Sequence, residues 1–323
     1  MTDSADDTTH HRTPDFFVVG HPKCGTTALY EMLRRHPAIF MPDLKEPWFF
    51  AEDMRPRFQP ARAGAAPESL DHYLALFGEA GDGQLAGEAS SSYLRSRVAA
   101  QKIAELRPDA RAIAIVREPA DFLRSLHQQM LRDHIETERD LATALGLEDE
   151  RRRGRRIPKR SHLPQMLLYS DHVRYAEQVR RYIEALGEDR VLVLIYDDFR
   201  SDNHDTLQRV QRFLGVEPES LELIEANPSD LTMRSHRLDD LLTGVAVGRS
   251  PAARAVKGAV KSILPADARA RAMRAARRRV VLAAPAPPDE RLMGELRARY
   301  RGEVEALSEL LDRDLAGLWG YEG

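Results

Sequence analysis

The sequence predicts an α/β fold, a central parallel sheet flanked by helices, with a helical C-terminal part. Three observations predict it. Short apolar runs rich in β-formers alternate with amphipathic helical stretches, the pattern of a parallel sheet covered on both faces. The first run passes through a glycine-containing loop directly into a helix, the opening of an α/β unit. Beyond about residue 230 the strand-like runs stop and the pattern turns helical.

The elements follow in order. Phe16 to Gly20 (Phe-Phe-Val-Val-Gly) reads as a buried strand. Ala28 to His36 reads as a helix, with Ala28, Leu29, Met32 and Leu33 on one stripe. Leu85 to Ala89 is a second short strand and Arg111 to Val116 a clearer one. Pro119 suits the first turn of a helix running to about Arg132. Residues 136–160 switch from acidic to basic, and part of them is expected to be a mobile loop. His172 to Leu186 is helical, Val191 to Tyr196 is the strongest strand, and Asp205 to Leu214 is a further helix. Arg249 to Arg279 is Arg-rich with one acid, Asp267, and Ala-Pro-Ala-Pro-Pro at 284–288 is a linker. Asp289 to Leu318 closes the chain as a long helical pattern. The expected organisation is a disordered N-terminus over 1–14 and a single domain over 15–323. Within it, 230–288 forms a variable Arg-rich helical lid or insertion.

Composition bounds the function. The 323 residues are 42% hydrophobic and 31% charged, enough for a sizeable core and too polar for a membrane bundle. No run of about 18 apolar residues occurs, so no membrane span is expected. A net charge of −3 argues against a dedicated nucleic-acid binder. The single cysteine, Cys24, excludes an intramolecular disulfide, and the N-terminus lacks the basic start and apolar core of a signal peptide. A cytoplasmic, bacterial protein is expected. Of 48 basic residues six are Lys, which leaves 42 Arg. Each Lys therefore raises the question of why Arg would not serve.

Two loops carry chemistry. After the first strand comes His21-Pro22-Lys23-Cys24-Gly25-Thr26-Thr27. Gly25 allows a tight turn, Thr26 and Thr27 start the helix, and its free N–H groups and dipole form an anion site with Lys23 beside it. An ATP-binding loop needs Lys directly after its last glycine, whereas Lys23 precedes Gly25 by two residues. The second loop is Ile115-Val116-Arg117-Glu118-Pro119, with Ser125 in the following helix. Ser125 lies about 9 Å beyond Pro119 at 1.5 Å per residue, a span that a long Arg can cover. Arg117 and Ser125 could then hold one phosphate together.

These motifs resemble the sulfotransferases that use 3′-phosphoadenosine 5′-phosphosulfate (PAPS). The 5′-phosphosulfate loop of that family is similar to Pro22 through Leu29, and its 3′-phosphate element to Ile115 through Pro119 with Ser125 at the same eight-residue offset. Order and spacing agree over roughly the first 215 residues. The strand ending at Tyr196-Asp197-Asp198 also resembles a family strand. The resemblance implies a P-loop-like three-layer domain, PAPS as donor co-substrate, 3′-phosphoadenosine 5′-phosphate (PAP) as product, and no metal. It implies that Lys23 stabilises the leaving oxygen and that Cys24, Gly25, Thr26 and Thr27 line the 5′-phosphate site. It also implies that Arg117 and Ser125 bind the 3′-phosphate and that Tyr196 flanks the adenine. A compact ammonium can donate a proton to that oxygen, which Arg does not readily do.

Transfer to an alcohol also needs a base. In the glycan-type members, such as heparan sulfate sulfotransferases, a Glu in a segment resembling Lys45-Glu46-Pro47-Trp48-Phe49-Phe50 serves, so Glu46 is nominated. Trp48, Phe49 and Phe50 are expected to desolvate its carboxylate. His21 and His127 are weaker candidates, and His162 is set aside because it follows Arg117 in sequence. The chain departs from the glycan enzymes at Glu88-Ala89-Ser90-Ser91, where their Glu-Lys-Thr-Pro has an acceptor-side Lys. Arg234 and Arg249 are candidates for a lid over the nucleotide. The expected activity is in-line sulfuryl transfer to a hydroxyl of a small molecule, natural product or carbohydrate. An unusual P-loop kinase and a non-catalytic nucleotide-binding protein are the alternatives. A homo-oligomer is left open.

Overall fold

The computed structural model describes residues 12–54, 66–159, 161–221, 232–233, 282–283 and 287–322. Its centre is a five-stranded parallel sheet in the order β2-β3-β1-β4-β5. The strands are β1 (Phe16–Gly20), β2 (Ile39–Phe40), β3 (Leu85–Ala89), β4 (Arg111–Val116) and β5 (Val191–Ile195). Every residue of β1 is buried, as both faces of a central parallel strand must be. Gly87 of β3 is a packing requirement. A Cβ there would lie 2.2 Å from Phe16 Cζ and 2.5 Å from Met41 Sδ.

The helices between the strands are α1 (Thr26–Leu33), α2 (Leu70–Leu74), α3 (Ala99–Leu106), α4 (Pro119–Arg132), α5 (Leu141–Gly146), α6 (Glu148–Arg152) and α7 (Tyr175–Leu186). After β5 come α8 (Tyr196–Ser201) and α9 (Asn203–Leu214). The end of the chain is α10 (Glu290–Leu311) and α11 (Leu315–Trp319), with α10 packed on α4 and α7. Asp312, at φ 47°, ends α10 and splits what the sequence reads as one continuous helix. Tyr196 opens α8 rather than closing β5. Arg12 and Thr13 are tied to the domain through Gly81 and Arg107. Two short antiparallel strands, β6 (Thr232–Met233) and β7 (Leu282–Ala283), lie within the segment read as a helical lid. Residues 234–281 of that segment, Arg234 and Arg249 included, lie outside the described residues.

The acidic-to-basic stretch, part of which the sequence reads as a mobile loop, carries α5 and α6 and is held by a buried ion pair. Arg151 Nη1 lies 2.7 Å from Glu136 Oε2, and both side chains are buried. The Tyr169 hydroxyl also donates to Glu136, at 3.1 Å. Glu118 caps α4 by accepting from the backbone N–H groups of Ala120 (3.1 Å) and Asp121 (2.6 Å). The same carboxylate accepts from the Tyr321 hydroxyl at 2.5 Å, which fastens the end of the chain beside the start of α4. Among the described residues no helix is long and apolar enough to cross a membrane.

Candidate active site

Strand order brings the two loops together. β1 and β4 are neighbours, and the His21 N–H donates to Ile115 O at 2.7 Å, tying the loop after β1 to the end of β4. β3 flanks β1 on the other side and β5 flanks β4. Adjacent strands are about 4.8 Å apart. The groups at the carboxyl ends of β3, β1, β4 and β5 therefore form a row about 15 Å long, where open α/β sheets bind ligands.

On β1's loop, Gly25 takes φ 88° and caps α1 without any side-chain hydrogen bond, and no acid occupies the first turn of α1. The helix N-terminus is thus available to an anion. Thr26 is buried and Thr27 exposed. Cys24 is fully buried, and burial pushes its thiol up to about 12, so only its backbone can serve the site. Lys23, at φ 66°, is mostly buried, and its ammonium is pushed down to about 8. The causes, in order, are burial and the like charges of Arg132 and Arg117, partly opposed by Asp133. Two further cations, Arg132 and Arg117, thus act on Lys23 at this loop. Arg132 was not singled out in the sequence, because its place depends on the path of α4.

Arg117 is half-buried, with its guanidinium 4.7 Å from the centre of the Tyr196 ring. Asp121 is 3.9 Å away. Tyr196 thereby supports Arg117 from the neighbouring strand end by a cation–π contact. Ser125 is buried on α4.

Glu46 lies on an irregular strap, residues 44–51, laid over the end of β3. Its N–H donates to Ala89 O at 3.0 Å, and the Trp48 N–H donates to Ser90 Oγ at 3.2 Å. Glu46 and Trp48 both adopt left-handed backbone conformations, φ 62° and 55°. Such conformations in non-glycine residues cost of order 1–3 kcal/mol each and cluster at functional sites. The half-buried carboxylate accepts four hydrogen bonds. Lys45 Nζ (2.6 Å) and Ser91 Oγ (2.8 Å) reach Oε1; Trp48 Nε1 (2.8 Å) and the Ser91 N–H (3.0 Å) reach Oε2. Trp48 is therefore a hydrogen-bond donor to Glu46 rather than an apolar wall. Phe49 and Phe50 anchor the strap instead, Phe49 stacking on Tyr73 at 4.6 Å.

Both candidate histidines, His21 and His127, are built into the core. His21 is wholly buried and bonded to Gln178 at 2.7 Å, and burial pushes it down to about 4. His127 is buried against the Tyr169 hydroxyl (2.7 Å), and burial again lowers it. Neither is reachable by a bound alcohol.

Comparison with known proteins follows the same lines. Residues 13–244 match the family model described as sulfotransferase domain. The chain is 28% identical over 208 residues to bifunctional heparan sulfate N-deacetylase/N-sulfotransferase 4 of Mus musculus, covering 64% of this chain and 22% of that protein. It is 32% identical over 120 residues to heparan sulfate glucosamine 3-O-sulfotransferase 6 of Homo sapiens, covering 37% and 31%. The matches thus span between about a fifth and a third of these relatives' length. The crystal structure of a sulfotransferase from Alicyclobacillus acidocaldarius superposes with a TM-score of 0.64 at 25% identity, covering 95% of this chain and 98% of that one.

Proposed function

The chain belongs to the sulfotransferase domain family, and on that premise we propose that it moves a sulfuryl group from PAPS, in line, to an acceptor hydroxyl. The observation that carries the reading is the row of groups on adjacent strand ends: the Glu46 strap over β3, Lys23 after β1 and Arg117 after β4. In the proposed reaction the acceptor O–H proton goes to the Glu46 carboxylate as its oxygen bonds to sulfur. The bond from sulfur to the bridging phosphate oxygen breaks, and negative charge develops on that oxygen. Lys23 meets this charge with a compact cation. PAP leaves.

The residues present fit such a donor. The uncapped N-terminus of α1, with Gly25, Thr26 and Thr27, suits the 5′-phosphate. Arg117, braced by Tyr196, suits the 3′-phosphate, with Ser125 on the following helix. The acceptor is proposed only as a hydroxyl compound, a small molecule, natural product or carbohydrate. Ala89 stands where the glycan-type pattern has its acceptor-side Lys, which supports no narrower choice.

Thermal stability with PAP, alongside ATP with magnesium, tests the nucleotide assignment. A ligand at one hundred times its Kd adds about 2.7 kcal/mol. A clear rise in Tm with PAP and little with ATP is expected. A rise with ATP and magnesium alone would overturn the donor assignment in favour of a kinase-like phosphoryl transfer.

A further inference from the structure

Glu88, the fourth residue of β3, is a buried carboxyl that the reaction does not use. Its side chain is fully buried beside Phe17 of β1, its register partner. Oε2 accepts from the Tyr73 hydroxyl at 3.0 Å. Oε1 has no hydrogen bond of normal geometry among the described residues, although Ser90 and Tyr93 stand beside it.

The three polar neighbours of Glu88 each hold one strap residue. Ser90 Oγ accepts from the Trp48 N–H at 3.2 Å. The Tyr73 ring stacks on Phe49 at 4.6 Å. The Tyr93 hydroxyl accepts from the Phe50 N–H at 3.2 Å. Glu88 sits at the hub of these contacts. The strap needs such holding, because two of its residues have left-handed backbones.

We propose that Glu88 is a positioning residue for Glu46: in its protonated form it locks the 46–50 strap onto the end of β3. A protonated carboxyl gives the orphan oxygen a hydrogen to donate to the hydroxyl oxygens beside it. An ionised one has no such donor and places a second negative charge near Glu46. The groups facing it are Tyr73 from α2, Ser90 and Tyr93 after β3, Tyr182 from α7 and Glu46 on the strap. None of these is a cation. In keeping with this geometry, burial, reinforced by the Glu46 charge and opposed by the neighbouring hydroxyls, pushes Glu88 up to about 7. The catalytic consequence rests on Glu46 being the base; the lock itself does not.

Trp48 reports on the strap directly. The chain has two tryptophans, Trp48 and Trp319, so Trp319→Phe leaves Trp48 as sole emitter. Its emission and acrylamide quenching are followed from about pH 5.5 to about pH 9, a window that brackets a carboxyl titrating near neutrality. A one-proton transition near neutral pH to a more quenchable Trp48 is expected. Glu88→Gln, which retains a donor and carries no charge, should abolish the transition and keep the low-pH signal. Glu88→Leu should give the more quenchable signal at every pH. A transition that survives Glu88→Gln, or its absence from the parent, overturns the proposal; if Glu88→Leu does not fold, the Gln variant decides alone. PAP binding is measured on the same samples. Its absence would count against the sulfotransferase donor assignment while leaving the optical result to judge Glu88 by itself.

Discussion

Binding of PAP should take up a proton at Lys23. In the free protein the ammonium is pushed from 10.5 down to about 8 by burial and by Arg132 and Arg117. A shift of that size corresponds to about 3 kcal/mol held against the charged form. A bound phosphate favours the charged form, so binding above pH 8 must first protonate the lysine. Simple mass action makes PAP bind about tenfold more weakly at pH 9 than at pH 7. The ligand's own phosphates, with a second pKa of about 6, do not titrate in that window. Calorimetry in two buffers of different ionisation enthalpy counts the proton directly, nearly one at pH 9 and close to none at pH 7. Lys23→Met should bind more weakly with no such slope. The free protein gives an independent check of sign. Because the folded pKa is depressed, the unfolded chain holds more protons between about pH 8 and 10.5, and stability rises with pH across that window. An affinity constant from pH 7 to 9, with no proton uptake, would refute a Lys23 ammonium at the bound anion.

Three other outcomes follow from the same structure. Glu46→Gln should lower turnover at least about a hundredfold, the lower range for loss of a general base, while PAP raises the Tm as in the parent. Arg151→Ala should cost about 3–5 kcal/mol in denaturant unfolding, because it strands the buried Glu136 charge, and Glu136→Gln in the same chain should recover much of that loss. Gly87→Ala should cost about 1–3 kcal/mol by driving a methyl into Phe16 and Met41, with PAP affinity unchanged.

The strands β1 and β4 of the sheet interior were legible because burial on both faces leaves an almost wholly apolar run, whereas β3 carries Glu88 within its short run. β1, β3 and β4 occupy the residues read from sequence, and β5 differs only in releasing Tyr196 to α8. β2, two residues long, carries no pattern to read. Helix α4 was legible from Pro119 at its first turn. Which part of 136–159 folds was not legible, because charge alternation looks alike in a solvated loop and in a folded one. What folds it is a partner fifteen residues away, Arg151 for Glu136, together with Tyr169. Lys23 and Arg117 could be picked out because a strand end is marked locally. The grip of Ser91 on Glu46 could not, since it spans 45 residues and depends on the turn after β3. Ser90-Ser91, a hydroxyl pair directly after a buried strand, was the signal available.

The two halves of the site stand in opposite electrostatic states in the free protein. Arg132 and Arg117 both act against the Lys23 charge, partly opposed by Asp133, and Asp121 is 3.9 Å from Arg117. On the proposed reading, a bound dianionic phosphate would relieve that repulsion at Lys23. The Glu46 half is already saturated, each oxygen holding two donors. To take a proton from an alcohol, the carboxylate must exchange one of those bonds for the incoming hydroxyl. Ser91 and Trp48 are fixed by the strap and the β3 turn, whereas Lys45 approaches on a flexible side chain from the partly exposed side. If Glu46 is the base as proposed, Lys45 is the donor that an acceptor hydroxyl would displace at least cost, and an order of events follows from that asymmetry. On the proposed reading, the nucleotide half would gain from binding alone, and Glu46 would be released as base only when an acceptor arrives to replace its ion pair with Lys45.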